Sequence, residues 1–454
     1  MFKNKIKSLI LFGIGIFFSI CICICIIYNN DNNVFESKNI KENNNFVAMM
    51  VETDAESGKY TQATSNEWLT DGYVFNSELS GCENGGKLSW DDVNKKVIME
   101  GSSQDKCYVY FKVYVEHRYD ENCDSTLLAC NVAKKFTGTQ GENGIYYHDS
   151  SLENGAGDNS YRYAGANPNN YVCFGSTQSP CPVDNLYRII GVFGDRVKLI
   201  KSDYATSVLL GTDGDYKAAY SGSTSNYKGS LSTSDIGAYM WNYNGLSDKT
   251  INNGYGSNTW STSLLNKTNL NTNFITNIGA EWANKIDMTT WKVGGNTGAN
   301  IANKPVKTAY QNEIVNPVTT NSTDNKTEYS AKIGLMYASD YGFAAAPSAW
   351  TTTLYDYDDA AIKNVNWMYM GLSEWTISRI AGDASNVFRV NDTGYANFYI
   401  ANNAYGVRPT FYLNSLIIYS SGSGTSSDPI RILINWQFTC LCKLFLFFGV
   451  FCLY

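Results

Sequence analysis

Two apolar runs mark the ends of the chain, and the first predicts a membrane anchor. Leu9 to Tyr28 (LILFGIGIFFSICICICIIY) contains no charged residue and follows a segment with three lysines. At about 1.5 Å per residue, such a helix spans the roughly 30 Å of membrane hydrocarbon, and lysines before it favour a cytoplasmic N-terminus. Residues 1–28 are therefore predicted to be an uncleaved signal anchor, with the bulk of the chain outside the cell. A cleaved signal peptide is the alternative.

The second run, Trp436 to Tyr454, is apolar apart from Gln437 and Lys443. Two interpretations of residues 433–454 stay open, a second membrane segment and the translated product of a frameshift. Near the other end, residues 29–59 are polar and rich in asparagine, which predicts a spacer.

Between these ends, the polarity pattern divides the body in two. In residues 60–115, apolar and polar residues alternate in short runs of four to nine residues that are separated by Gly, Asp and Ser turns. This pattern predicts a small all-β module. Residues 116–169 are predicted to be a connector with one short helix around LLACNVAKKF.

Residues 170–432 predict an α+β domain with a mixed or antiparallel sheet. Leu186 to Ile200 indicates a hairpin broken at Gly194 and Asp195. Helical spacing predicts two short helices, at 260–270 and 275–285. The remaining strands are predicted at 331–340, 367–379, 386–391 and 406–413.

The cysteines outside the two apolar runs indicate disulfide bonds in an oxidising compartment. They are six in number, an even count without a CxxC pair or a suitably placed histidine for zinc. Pairing of neighbours is favoured because each loop is then short: Cys82 with Cys107, Cys123 with Cys130, and Cys173 with Cys181.

Composition narrows the classes of function. The formal net charge is −7 and aromatic residues make up 14% of the chain, which argues against a nucleic-acid binder and against a disordered protein. The only histidines, His117 and His148, precede the main domain. That domain therefore lacks a Ser-His-Asp triad, and the chain contains neither a GxSxG nor an HExxH motif.

Short motifs between residues 170 and 432 carry a family resemblance. In order they are YRIIGVF, WSTSLLNKTNLN, IGLMYASD, a Trp-Met…Glu-Trp-Thr…Arg segment and Gly-Val-Arg-Pro at 406–409. This order resembles the DUF6273-type domains of bacterial surface proteins, which in turn resemble C-type-lectin-like and formylglycine-generating-enzyme-like folds. The resemblance implies a lectin-like fold and a place at the bacterial cell membrane, facing outward, but no reaction.

Carboxylate clusters are the remaining candidates for catalysis or for a metal. Asp356, Asp358 and Asp359 form one cluster, and Asp213 with Asp215 forms another. Paired carboxylates serve glycoside hydrolysis or bind Ca²⁺, although most such clusters are solvated loops. The Glu-Pro-Asn, Gln-Pro-Asp and Trp-Asn-Asp motifs of calcium-dependent lectins are absent. No cofactor is therefore predicted, and Ca²⁺ remains a weak alternative.

A binding function fits the composition of residues 373–405 better. This segment combines Trp, Tyr, Phe and Arg with many Asn, Ser, Gly and Asp residues, a mixture typical of recognition surfaces. Trp367 and Trp375 are predicted to lie in the core, and Arg408 is predicted to pair with a buried carboxylate or with carbonyl groups. The predicted ligand-binding residues on the surface are Arg379, Asn391, Asn397, Asn402 and Tyr405.

Together these features predict a membrane-anchored surface protein that is not an enzyme and whose ectodomain binds a glycan or a cell-surface protein. One alternative is a cell-wall or polysaccharide hydrolase that uses Asp356 and Asp358. The other is a structural surface or prophage component without a small ligand.

Overall fold

The computed structural model describes two compact units of the chain, Met1–Glu116 and His117–Tyr454. The described residues are 35–36, 47–53, 59–63, 67–69, 72–76, 79–91, 94–100, 105–113, 119, 123–243, 251–317 and 327–433. The predicted anchor and residues 434–454 of the predicted tail lie outside them. Within these described ranges, no helix has both the length and the apolar character needed to cross a membrane.

The first unit is built from β-strands. Their bounds are β1 Phe35–Glu36, β2 Val47–Glu52, β3 Tyr60–Gln62, β4 Tyr73–Phe75, β5 Gly81–Cys82, β6 Lys87–Asp91, β7 Lys96–Glu100 and β8 Cys107–Val113. One sheet has the order β3-β2-β8-β4 with β5 also beside β8, and the other has the order β1-β7-β6. The pair β2–β8 is parallel, with Val47 opposite Cys107, so the first of these sheets is mixed.

Strand β2 corrects the predicted boundary of this unit. It falls within residues 29–59, which were predicted to be a spacer, yet it pairs with both β3 and β8. Its sequence VAMMVE buries Met49 and Val51. The spacer prediction is wrong for these residues because their apolar side chains complete the core of the module.

A small aromatic core holds the first unit together. Phe111 is fully buried, and the ring of Trp90 meets it edge-on with the centroids 5.5 Å apart. Cys82 and Cys107 are joined by a disulfide, which ties β5 to β8. A core of this size stabilises a module only modestly, and a covalent cross-link adds to it.

The second unit contains the remaining strands and the helices. Its strands are β9 Ile145–Tyr147, β10 Tyr161–Tyr163, β11 Tyr171–Cys173, β12 Leu186–Phe193, β13 Arg196–Lys201, β14 Tyr216–Ala219, β15 Gly237–Met240, β16 Thr289–Lys292, β17 Glu328–Ala331, β18 Ile333–Gly334, β19 Glu374–Arg379, β20 Asn386–Val390, β21 Ala396–Ile400, β22 Ala404–Tyr405, β23 Thr410–Tyr412, β24 Tyr419–Ser421 and β25 Arg431–Ile432. Its α-helices are α1 Leu128–Ala133, α2 Ser207–Leu210, α3 Ile275–Asn277, α4 Ala280–Ala283, α5 Val306–Tyr310, α6 Ala338–Phe343 and α7 Ala360–Lys363. Two π-helical segments, Leu265–Phe274 and Gln311–Val315, precede α3 and follow α5. The 3₁₀ turns are Glu142–Gly144, Val183–Asn185, Ile251–Gly254, Trp260–Thr262, Pro347–Ala349 and Leu354–Asp356.

A seven-stranded antiparallel sheet forms the centre of this unit. Its order is β18-β23-β13-β12-β10-β9, and β11 also pairs with β12. The β12–β13 hairpin is confirmed, with Phe193 opposite Arg196. Gly194 at its turn has a φ of +59°, which glycine adopts without steric cost. The α+β class is thus confirmed.

Two boundaries of the second unit differ from prediction. The segment 116–169 contains α1, β9 and β10, and the two strands belong to the central sheet, so the unit begins at His117 rather than at 170. Residues 331–340 hold the end of β17, the short strand β18 and the start of α6 at Ala338 rather than one strand. The Asp340 carboxylate accepts a hydrogen bond from the Tyr337 N–H at 2.9 Å, which favours a helix start over a continuing strand.

Other predicted features of the second unit are confirmed. Trp367 and Trp375 are buried in the core. The regions 260–270 and 275–285 are helical, although mostly as 3₁₀ and π turns with α3 and α4 at the end. Cys123–Cys130 and Cys173–Cys181 form disulfides as predicted.

Candidate functional site

A small cleft lies against the three-stranded sheet β14-β15-β22 of the second unit. In this antiparallel sheet, Tyr239 of β15 stands opposite Tyr216 of β14 and Tyr405 of β22. The cleft has a volume of about 270 Å³, just below the roughly 300–1,000 Å³ that is typical of ligand sites. We call it the Tyr405 cleft. Its lining consists of Lys217, Ala218, Ala219, Tyr220, Ser221, Gly222, Ser223, Ala238, Ser373, Asp392, Ala404 and Tyr405.

Small side chains on the three strands leave room for the cleft. Each strand contributes one alanine to the lining: Ala218 from β14, Ala238 from β15 and Ala404 from β22. A methyl group fills little space, so these three positions leave the cleft unfilled. A ligand with one flat apolar face could lie against it.

Two tyrosines provide the aromatic walls. The Tyr220 hydroxyl accepts a hydrogen bond from the Ser373 N–H at 3.2 Å, and its own proton is then available to a ligand. The Tyr405 ring packs edge-on against Trp375 with a centroid distance of 4.7 Å. Burial raises the pKa of Tyr405 to about 12, so this hydroxyl is a neutral donor at physiological pH.

Ser373 and Asp392 provide the polar side of the cleft. The Ser373 hydroxyl accepts a hydrogen bond from the Asp392 N–H at 3.2 Å and lies 3.5 Å from the Asp392 Oδ1. The Asp392 carbonyl accepts bonds from the Tyr369 hydroxyl at 2.7 Å and from the Asn226 amide at 3.0 Å. The loop that carries Asp392 is therefore held from two other segments, which fixes its carboxylate as an acceptor beside the tyrosines.

Arg389 supports the cleft from behind Tyr405. Its guanidinium lies 4.6 Å from the Tyr405 ring centroid and 4.8 Å from that of Tyr399. It donates to Asn397 Oδ1 at 3.0 Å and to the Ser373 hydroxyl at 3.3 Å. Cation–π contacts of this kind restrain both rings, so Arg389 connects the aromatic wall to the polar side.

The structure brings only part of the predicted ligand set together. Tyr405 lines the cleft, and Asn397 contacts Arg389 behind it. Asn402 is half-buried and donates to the Gly254 carbonyl at 2.6 Å, on a different segment. Asn391 is only 8% exposed and accepts bonds from the N–H and hydroxyl of Thr393 at 2.7 and 2.9 Å.

Arg379 is not a surface residue. Its exposure is 1% and its Nε donates to the Val293 carbonyl at 3.0 Å. The prediction that Arg379 and Asn391 are exposed is wrong because β19 and the turn after β20 lie inside the unit, where their polar groups stabilise the backbone.

The carboxylate clusters have structural partners. Asp215 is fully buried and accepts hydrogen bonds from the N–H groups of Tyr243, Leu264 and Leu265. Asp356 accepts the Thr353 hydroxyl at 2.6 Å. Asp359 caps α7 by accepting the Ala361 N–H at 2.8 Å. Within the described ranges, no group of three or more acidic, histidine or cysteine side chains is arranged to hold a metal.

Sequence reasoning missed Tyr220, Asp392 and Lys217 as cleft residues. Tyr220 and Lys217 lie more than 150 positions before Ser373, and no local pattern relates them. The one available signal was the run of small residues around Ala218 and Ala219, which is unusual beside aromatic positions. Comparison of the chain with protein-family models, with curated proteins and with solved structures finds no match.

Proposed function

We propose that this protein is a membrane-anchored bacterial surface protein whose second unit binds a glycan non-covalently in the Tyr405 cleft. The observation that carries the proposal is the combination of tyrosine walls, an alanine floor and a fixed carboxylate in one cleft of monosaccharide size. The anchor and the surface location rest on the apolar run at residues 9–28 and on the three disulfides. The lectin-like fold rests on the motif order at residues 170–432 and stays a prediction.

The chemistry of the cleft suits a sugar ring. A pyranose has an apolar face, which would lie on an aromatic ring or on the alanine methyl groups, and a rim of hydroxyls. Asp392 would accept from two neighbouring hydroxyls, and the hydroxyls of Tyr220 and Tyr405 would donate to ring substituents. The neutral form of Tyr405 at physiological pH keeps this donor available.

Exposed groups at the mouth extend the site. Lys217 and the segment Ser221–Ser223 are exposed and line the opening. Phe398 and Tyr399 on the edge strand β21 are exposed by 43% and 42%. A longer glycan would meet these groups after its first residue occupies the cleft.

The test is a glycan array followed by titration calorimetry with the full-length oxidised protein in detergent, with and without Ca²⁺. Tyr405→Ala is expected to weaken binding of the best glycan about tenfold or more, which corresponds to about 1.4 kcal/mol. Asp392→Asn removes a charged acceptor and is expected to weaken binding similarly. Tyr355→Ala, an exposed tyrosine that does not line the cleft, is the matched control and should bind like the unchanged protein.

The melting temperature of each variant separates lost binding from lost folding. Absence of glycan binding by a folded, disulfide-bonded protein would overturn the proposal. Binding that persists in both Tyr405→Ala and Asp392→Asn would place the glycan elsewhere.

A further inference from the structure

A lysine and an aspartate meet in the interior of the second unit. Lys198 lies on β13 and Asp340 on the first turn of α6, 142 positions apart. The Lys198 Nζ is 2.5 Å from the Asp340 Oδ2, and each side chain is 1% exposed. The Asp340 Cγ is bonded to Oδ2, so the amine lies one bond away from the carbon that it would attack.

Aromatic rings enclose the lysine ammonium and exclude water from it. The Nζ lies 4.5 Å from the Tyr337 ring centroid and 5.4 Å from that of Tyr412. The Phe193 and Trp291 rings follow at 5.5 and 5.7 Å. Burial of an ion pair in such surroundings costs several kcal/mol of desolvation for each ion, whereas a neutral amine and a neutral carboxylic acid avoid that cost.

Arg162 lies beside Oδ1, the other oxygen of the Asp340 carboxyl group. Its Nη1 is 3.7 Å from the Asp340 Oδ1 and makes no hydrogen bond among the described residues. Its Nη2 is paired with Asp158, so the guanidinium is held in place. A fixed positive group beside Oδ1 would stabilise negative charge that develops there.

Glu313 supplies a second carboxyl group at the start of α6. It accepts hydrogen bonds from the N–H groups of Ala338 and Ser339 at 2.9 and 3.0 Å, the two residues before Asp340. Ser378 donates its hydroxyl to the same carboxylate. These bonds occupy both Glu313 oxygens, so Glu313 anchors the helix start that positions Asp340.

We propose that Lys198 and Asp340 condense to an intramolecular isopeptide bond. The ammonium first gives one proton directly to Oδ2 of Asp340, the oxygen that it contacts. The amine lone pair attacks Cγ, and the negative charge develops on Oδ1 beside Arg162. A second proton passes from nitrogen to Oδ2, the Cγ–Oδ2 bond breaks, and one water leaves.

The reaction balances without an oxidant, a reductant or a co-reactant. One C–N bond forms, one C–O bond breaks, and the oxygen departs with two of the three ammonium protons. The positive and negative charges of the pair disappear together, and Arg162 keeps its partner Asp158. The product joins β13 to α6 covalently and leaves neither side chain of the pair charged.

The test is the mass of the full-length purified protein under denaturing, reducing conditions. The expected mass is lower than that of the reduced sequence by the mass of one water molecule. Proteolysis should then yield a branched peptide that contains both Lys198 and Asp340. A mass equal to that of the reduced sequence, together with separate linear peptides, would overturn the proposal.

Variants separate the roles of the amine and the carboxyl group. Lys198→Met removes the nucleophile and should restore the full mass. Asp340→Asn keeps an electrophilic carbonyl, and its bond would release ammonia in place of water, a loss that mass spectrometry resolves. Lys292→Met, at an exposed ion pair with Glu328, is the matched control and should leave the water loss unchanged.

Discussion

Arg408 and Glu374 form a two-bond ion pair in the interior of the second unit. Arg408 Nε donates to Glu374 Oε2 at 2.7 Å, and Nη2 donates to Oε1 at 2.7 Å. Each side chain is 1% exposed, and Nη2 also donates to the Met368 carbonyl at 2.8 Å. The sequence-based prediction that Arg408 pairs with a buried carboxylate or a carbonyl is thus confirmed.

Removal of one partner of this ion pair should lower the free energy of unfolding far more than removal of both partners. Arg408→Ala leaves Glu374 as an uncompensated buried charge and should lower the free energy of unfolding by about 3–5 kcal/mol. The double variant Arg408→Met, Glu374→Leu removes both charges and should lose markedly less. Urea denaturation of the unchanged protein, the single variant and the double variant measures the three free energies of unfolding. Equal losses in the single and double variants would contradict this account.

Glu313 should make the stability fall as pH rises. Burial raises its pKa from 4.5 to about 7 in the folded protein, so the folded state binds the proton more tightly than the unfolded state. Its contribution is fully present below pH 4.5 and is lost as pH rises through about 7. Denaturant titrations should show that Glu313→Gln lacks this decline. If the stability of both proteins changed with pH in the same way, Glu313 would not be the source of the decline.

His148 should have the opposite effect. It is fully buried, its Nδ1 accepts the Ala156 N–H at 3.0 Å, and burial lowers its pKa to about 3. The unfolded chain therefore takes up a proton below about pH 6.5 while the folded state stays neutral, so stability falls as pH drops from 6.5 towards 3.

His148→Asn keeps an acceptor near the position of Nδ1 and should flatten this part of the pH curve. Its denaturant midpoint should vary less than that of the unchanged protein between pH 4 and 6.5, in the window set by the two pKa values. A variant with the same acid sensitivity would show that His148 is not its source.

The disulfide of the first unit should stabilise more than either disulfide of the second. Cys82 and Cys107 are 25 positions apart, whereas Cys173 and Cys181 are 8 apart. Loop-closure entropy predicts about 3.5 kcal/mol for the longer loop and about 2.5 kcal/mol for the shorter one. Calorimetry of the paired Cys→Ala variants compares the two losses, and a larger loss for the 173–181 pair would contradict the entropic account.

Elements defined by neighbouring residues were predictable. Turn chemistry at Gly194 and Asp195 between two β-rich runs predicted the β12–β13 hairpin. Alternation predicted β6, β7 and β8, and short loop lengths favoured the three observed cysteine pairs. The predicted strand at 331–340 was wrong at α6, where Asp340 caps the helix start through the Tyr337 N–H and also contacts Lys198, a distant residue.

The candidate site was only partly predictable. Tyr405 was selected for its residue type and lines the cleft, but Arg379 was selected on the same grounds and is buried. Residue type reports which contacts a side chain can make. It does not report whether water or a neighbouring strand provides them.

The sequence by itself determined the local periodicities, the turns and the class of the fold, because these depend on interactions between residues a few positions apart. Only the tertiary structure decided which side of each strand faces the interior and which distant residues meet. Tyr220, Ser373 and Tyr405 share one cleft, and Lys198 touches Asp340, because burial of the aromatic core brings β13, β15, β22 and α6 together. Such contacts depend on the packing of the whole unit, and no short segment of sequence contains them.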